Sequence, residues 1–495
     1  MRSVSVCLLL LMFACIFLVD SFAQGKASGG LFSINESPKV VSETDRSSIA
    51  SVREAAIIFE VRRFNGTDDG ILSIPLFDGR EYQAKRLQRE GLELRSSDDF
   101  TWRGKIDEGS FSGDVVITYK KGHYAGLIYS PNAVYEIVPK GNAHILFELD
   151  QSLYPSCAGG VKGDEARSRV GRAAGAAVDS GDRIDVMVLY TAAVRTSAGG
   201  DTQAQTIAQN AIDATNTAYI NSKIRQRVRL VGAENTSLVE TGNFSTELSN
   251  LRADATAATR RDALKADLVS MLTNSTAACG IGYLMGSLGG NQNNGFSVTA
   301  RTCAVGNLSF AHELGHNMAS HHNPENGGTA VYAYGYGHYV NGSYRTVMSY
   351  SDPCTSGCTR VPYFSNPTVI FNNQPTGVDN ARDNARSINN TADWIANYRY
   401  SGSSITLGSF NGDQIVPRNL LRSLIWTSDN VTGNVKIEIS RDGGSSWQTL
   451  FDPTPNDHQE YFSFGNRATR RARIRITSLS DPAVSDSSVA NISIR

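Results

Sequence analysis

The stretch from Ser309 to His322, SFAHELGHNMASHH, constrains this chain more than any other part of it. Phe310, Ala311, Leu314 and Met318 recur at helical spacing, which predicts a helix packed against a core. His312 and His316 stand four residues apart, so their imidazoles fall on one face, one turn apart. Two neutral imidazoles placed this way reach a single ion at about 2.0–2.1 Å. Glu313 lies beside them, where a carboxylate can take a proton from water held at such an ion.

The rest of the chain has to build a fold around that helix and export it. At 495 residues, and roughly 150 per domain, about three domains are expected. Forty-seven basic residues balance 48 acidic ones, so no overall field draws the chain to nucleic acid or anionic lipid. Hydrophobic content of 40% with 8% aromatics excludes wholesale disorder and a multi-span membrane protein. Arg2, the apolar run Val4 to Val19 and the small-x-small triplet Ser21-Phe22-Ala23 read as a signal peptide, residues 1–23, cut after Ala23. The alternatives are an uncleaved anchor and a lipoprotein at Cys15. No later stretch is apolar enough to span a bilayer, so a secreted, extracellular monomer is expected.

Residues 24–157 read as strands and turns, with runs at Ala55–Val61, Asp114–Tyr119, Ala133–Val138 and His144–Leu149. His123 and His144 sit in strand-like surroundings and are read as structural. Residues 158–181 are rich in Gly, Ala and charge and include Arg167, Arg169 and Arg172, as an exposed and cleavable linker would. From 182 to 400 strand runs such as Ile184–Tyr190 and Asp267–Leu272 alternate with long helices such as Gln203–Asn221, predicting an α/β domain with a mixed sheet. Residues 401–495 return to short alternating strands, predicting an all-β sandwich of immunoglobulin or fibronectin-III type. Within it Ser440–Trp447 resembles an Asp-box, taken as a structural hairpin because a propeller needs several copies.

With His322 ten residues after His312, the motif resembles the long zinc-binding pattern of the metzincin metalloproteases, H-E-x-x-H-x-x-G-x-x-H. The resemblance implies that His312, His316 and His322 hold one zinc ion, with Glu313 as the general base. His321 could exchange with His322 if the helix end shifts. Ala319 replaces the turning glycine, and a left-handed alanine there costs on the order of 1–2 kcal/mol. Thr346-Val347-Met348-Ser349-Tyr350 resembles the Met-turn, making Met348 the floor of the site and Tyr350 a candidate for stabilising the oxyanion. Pro362–Pro367, Cys279–Leu284 and the helix ending Trp394–Tyr398 resemble secreted bacterial reprolysin-like peptidases, the peptidyl-Asp metalloendopeptidase group among them. Asn323 departs from the aspartate usual after the third histidine. Cys279–Leu284 is then the edge strand along which an extended substrate pairs.

Export discards Cys7 and Cys15. By the same resemblance Cys279 pairs with Cys303 and Cys354 with Cys358, although four cysteines allow three pairings. Cys157 is left over, at the end of what becomes a prodomain. A thiolate is a good zinc ligand and could stand where the catalytic water belongs, as a cysteine switch; the alternative is a buried free thiol. The expected protein is therefore a zinc metalloendopeptidase made as a zymogen and acting on proteins or peptides. Two competing readings are an inactive zinc-binding adhesion module and, from the Asp-box alone, a carbohydrate-active enzyme. The C-terminal sandwich could bind protein, glycan or a surface, and calcium sites and cleavage preference are not legible.

Overall fold

The computed structural model describes residues 30–41, 50–59, 70–88, 90–96, 98–163, 179, 181–412 and 414–495. The expected signal peptide and most of the expected linker lie outside these residues. No helix among them is long and apolar enough to cross a membrane.

The α/β expectation for the central region holds. Its mixed sheet runs Gly160–Lys162, Gly280–Leu284, Phe296–Ala300, Leu268–Thr273, Arg183–Tyr190, Arg227–Asn235. The last four strands are mutually parallel, and their near-continuous Val, Ile, Leu and Met are what a sheet covered on both faces requires. Gly280–Leu284 reverses direction against Phe296–Ala300. That reversal makes it the natural edge of the sheet, and Gly160–Lys162 adds to it in parallel, Gly160 opposite Gly282 and Lys162 opposite Leu284. Two helices that the sequence pattern did not suggest, Phe244–Ala253 and Ala255–Leu264, start on side-chain caps from Asn243 and Asp254. The helix Asn384–Ile395 closes the region.

An antiparallel sheet of the N-terminal region curls around Trp102, Tyr82, Ile117 and Ile137. Its neighbour is the helix Asp201–Asn221, buried along most of its length between this sheet and the central one. The contact combines two kinds of surface: Leu127, Tyr129, Val134, Phe147 and Leu149 join the apolar core of the central region, and polar groups meet around Asp213. Asp213, fully buried, accepts hydrogen bonds from the Thr101 and Thr118 hydroxyls at 2.5 and 2.6 Å and lies against Arg95 and Arg103. Asn221, at the end of that helix, donates to Asp114 at 3.0 Å, and Arg227 grips Glu90 through two nitrogens at 2.7 and 2.8 Å.

Residues 404–494 form two sheets around Leu407, Trp426, Ile437 and Ile474. In the Asp-box turn, Asp442 accepts from the Ser440 and Ser446 hydroxyls and the Ser446 amide, which is a hairpin held by its own side chain. This region meets the central sheet at Arg227–Asn235, the edge opposite Gly280–Leu284. Asp429 takes Arg229 at 2.7 Å and Arg183 at 3.2 Å.

Candidate metal and catalytic site

Ser309–Asn317 forms the helix that the apolar spacing predicts. Phe310, Leu314 and Met318 are fully buried, each removing apolar surface that stabilises the fold by about 1.5–3 kcal/mol. The helix ends because Ala319 takes φ 59°, and the Ser320 amide turns back to the Gly315 carbonyl at 3.0 Å. This is the left-handed conformation glycine would hold without strain.

The reversal settles which neighbouring histidine turns inward. The His321 amide donates to the Gly335 carbonyl at 2.8 Å, and its ring lies towards Tyr336. His322 points the other way. Its Nε2 lies 3.2 Å from that of His312 and 3.1 Å from that of His316. His312 Nδ1 donates to the Val347 carbonyl at 2.9 Å and His316 Nδ1 to the Ser320 carbonyl at 3.0 Å. A proton on Nδ1 leaves a neutral ring only a lone pair at Nε2, so the Nε2 atoms of His312 and His316 are both free to act as ligands. Burial and mutual repulsion push the pKa of His312 and His316 well below the usual histidine range, and burial takes His322 to about 4. Three neutral imidazoles converging on one point fit a zinc ion at about 2.0–2.1 Å.

Glu313 is completely buried and neither carboxylate oxygen has a hydrogen-bond partner. Burial raises its pKa to about 8, against the opposing effects of Cys157 and Arg360. Gly280 makes room for it: a Cβ at that position would stand 2.4 Å from Glu313 Oε1. Gly315 does the same beneath the histidines, where a Cβ would come within 2.6 Å of Met348 Sδ. Met348 is thus the buried floor of the cluster.

Asn323 bridges the loop of the third histidine to the Met348 turn. Its side-chain oxygen accepts from the Tyr350 amide at 2.9 Å and the Ser349 hydroxyl at 3.3 Å. A carboxylate would make the same bonds, so the substitution of Asn for Asp preserves this link. The Tyr350 ring lies 4.0 Å from that of His322, and its hydroxyl donates to the Cys157 carbonyl at 3.1 Å. Cys157 itself joins the cluster, its Sγ and the three histidine nitrogens all lying within 4.8 Å of one another.

Cys157 arrives there because residues 156–162 lie along Gly280–Leu284. The Ala158 amide donates to the Gly280 carbonyl at 2.8 Å, the Cys279 amide donates to the Ser156 carbonyl at 3.1 Å, and the parallel strand follows. The edge strand expected to receive a substrate therefore carries the chain's own segment. Cys279–Cys303 and Cys354–Cys358 are both bridged, and Cys157 is the free cysteine among the described residues.

Two buried arginines were missed. Arg345 and Arg360 face each other on paired strands, Tyr344–Arg345 and Thr359–Arg360, flanking the Met348 turn. They are 15 positions apart in a stretch with no periodicity, and nothing but the fold brings them together.

Residues 180–365 match the family model of metallo-peptidase family M12. A peptidyl-Asp metalloendopeptidase of Stenotrophomonas maltophilia is 32% identical over 346 residues, covering 65% of this chain and 81% of that protein. One from Xanthomonas campestris is 35% identical over 237 residues, 46% of this chain and 55% of its own. A third, from Pseudomonas aeruginosa, is 32% identical over 249 residues, 44% of this chain and 40% of its own.

Proposed function

This chain belongs to metallopeptidase family M12 and is a zinc metalloendopeptidase, and on that premise we propose that it is secreted as a zymogen and cleaves proteins at aspartate through His312, Glu313, His316 and His322. The convergence of three Nε2 atoms beside an unpartnered buried carboxylate carries this reading. Bound zinc supplies Lewis acidity to the scissile carbonyl and to water. Glu313, with its pKa raised towards neutrality, takes the water proton and returns it to the leaving amine. The Tyr350 hydroxyl, which here donates to a peptide carbonyl, would do so to the substrate carbonyl as negative charge develops on it. The edge strand Gly280–Leu284 aligns an extended peptide by main-chain hydrogen bonds.

Latency is proposed to come from residues 24–157, with the signal 1–23 removed first. Cys157 lies where its sulfur can occupy the fourth position around the three histidines, and residues 156–162 cover the edge strand. Cleavage within 158–181 would release both. The aspartate preference is taken from the names of the relatives.

Incubating the purified chain, before and after release of residues 24–157, with a peptide library and mapping product masses tests this reading. Cleavage at aspartate, abolished by a chelator and restored by zinc, is expected. Cleavage unaffected by the chelator, or none after removal of residues 24–157, would contradict it.

A further inference from the structure

Arg345 and Arg360 are 4% and 5% exposed, yet among the described residues neither has a carboxylate within ion-pair distance. Their hydrogen bonds go to neutral groups. Arg345 Nη1 donates to the Ser349 carbonyl at 3.0 Å, and its Nη2 lies 3.5 Å from Asn307 Oδ1. Arg360 donates to the Asn307 carbonyl at 2.9 Å and the Ser349 carbonyl at 3.2 Å. The Nε of each is buried without a partner. Two like charges side by side, out of water and uncompensated, are costly.

Other buried arginines in the same chain are treated differently. Arg103 meets Glu93 and Asp213. Arg261 rests on the carbonyls of Ala266, Asp267 and Gln292, but uses its Nε and both terminal nitrogens and has Asp262 and Asp267 close enough to be felt. Neither Arg345 nor Arg360 has such a carboxylate partner, and both lie beside the turn that carries Met348 and Tyr350.

We propose that Arg345 and Arg360 form the pocket that receives the side-chain carboxylate of the substrate aspartate, on the carboxyl side of the cleaved bond. The inference rests on the peptidase reading above and names the residues that set its preference. Ser349, which both guanidiniums hold, lies between Met348 under the histidines and Tyr350 beside them. Asn307, the other shared partner, lies two residues before the histidine helix. The Cys354–Cys358 bridge closes the loop that leads directly into Arg360.

The proposal places the substrate antiparallel to the edge strand, the reverse of the chain's own segment. Gln151 exchanges hydrogen bonds with the Arg360 backbone, at 2.6 Å from the Arg360 amide and 3.3 Å to its carbonyl. From there the chain runs to Cys157 at the histidines and on along the edge strand in parallel. A peptide paired in the opposite direction leaves the histidines towards Arg360, so its first residue beyond the cleaved bond arrives at the guanidiniums. In the zymogen form Gln151 and the Tyr129 hydroxyl, which donates to the Arg360 carbonyl at 2.9 Å, cover this corner. A planar fork presented to a carboxylate gives charge-assisted, directional bonds that an amide of the same shape cannot make.

The test uses the full chain after maturation and two peptides that differ only in Asp or Asn directly after the cleaved bond. The wild type is expected to favour Asp by about 100-fold or more in kcat/KM, since a site built for one polar group rejects its neutral analogue strongly. Arg360→Gln and Arg345→Gln, matched to wild type for zinc content and melting temperature, should each lower that ratio about tenfold or more while cleavage of the Asn peptide changes little. An unchanged ratio in both variants overturns the pocket. A wild type that does not distinguish the peptides overturns the aspartate reading itself, and the pocket with it. If the glutamine variants do not fold, Arg360→Lys decides: a reduced ratio with a raised KM for the Asp peptide supports the pocket, and wild-type values overturn it.

Discussion

The two β-rich regions flanking the central sheet meet it in different ways. The N-terminal region sends Gln151, Cys157 and residues 160–162 along the strand nearest the histidines, and fastens its own sheet through Asp213, Asp114 and Glu90. The C-terminal region touches the far edge, with Asp429 between Arg183 and Arg229, and none of its described side chains enters the site. The difference teaches where control lies. A region whose backbone fills the substrate strand can silence the site, whereas one docked across the sheet can hold or deliver a substrate without altering the chemistry.

Disturbing each seam in turn tests that division. The largest effect is expected at Asp213: its replacement by Ala leaves Arg103, Arg95 and two hydroxyls facing an apolar gap, costing about 3 kcal/mol. A lowered melting temperature and faster proteolysis confined to residues before 163 should follow, and an unaltered melt would show the seam to be unimportant. Next comes Cys157→Ala. Taking away the sulfur while keeping residues 158–162 on the edge strand should raise activity before processing about tenfold, roughly 1.4 kcal/mol of lost restraint. Equal activity in both unprocessed forms would remove the thiol from the latency device. The smallest change is expected from Asp429→Asn, because Arg229 keeps its two bonds to Asp185. About 1 kcal/mol of stability should go, with kcat/KM on short peptides unmoved. A fall in kcat/KM would show that the far edge communicates with the site.

How much of this was legible in advance depends on how local each feature is. The histidine helix, its apolar stripe and Glu313 follow from residues within a few turns of one another, and spacing alone places them. Choosing His322 over His321 could not follow from spacing. It depends on the left-handed Ala319 and on the bond from the His321 amide to Gly335, which lies in a later loop. The central strands were readable because burial on both faces makes them continuously apolar. Gly160–Lys162, three residues with no pattern, becomes a strand because Gly280–Leu284 offers it unpaired backbone groups. The short helices between 244 and 264 are mostly polar and are held by end caps and by packing on the sheet, so their periodicity is faint. Nothing in the sequence singles out Arg345 and Arg360, and their meaning lies in what the fold withholds from them, a counter-ion.

The account's central claim is that Glu313 performs the proton transfer at a metal held by His312, His316 and His322, and one comparison addresses it directly. Glu313→Ala and the wild type, each with residues up to 157 cut off after folding by an added protease, are measured for bound zinc and for turnover of an aspartate-containing peptide. The account predicts equal zinc in both proteins and a loss of kcat of at least about 100-fold in the variant. Undiminished turnover with zinc retained would contradict it.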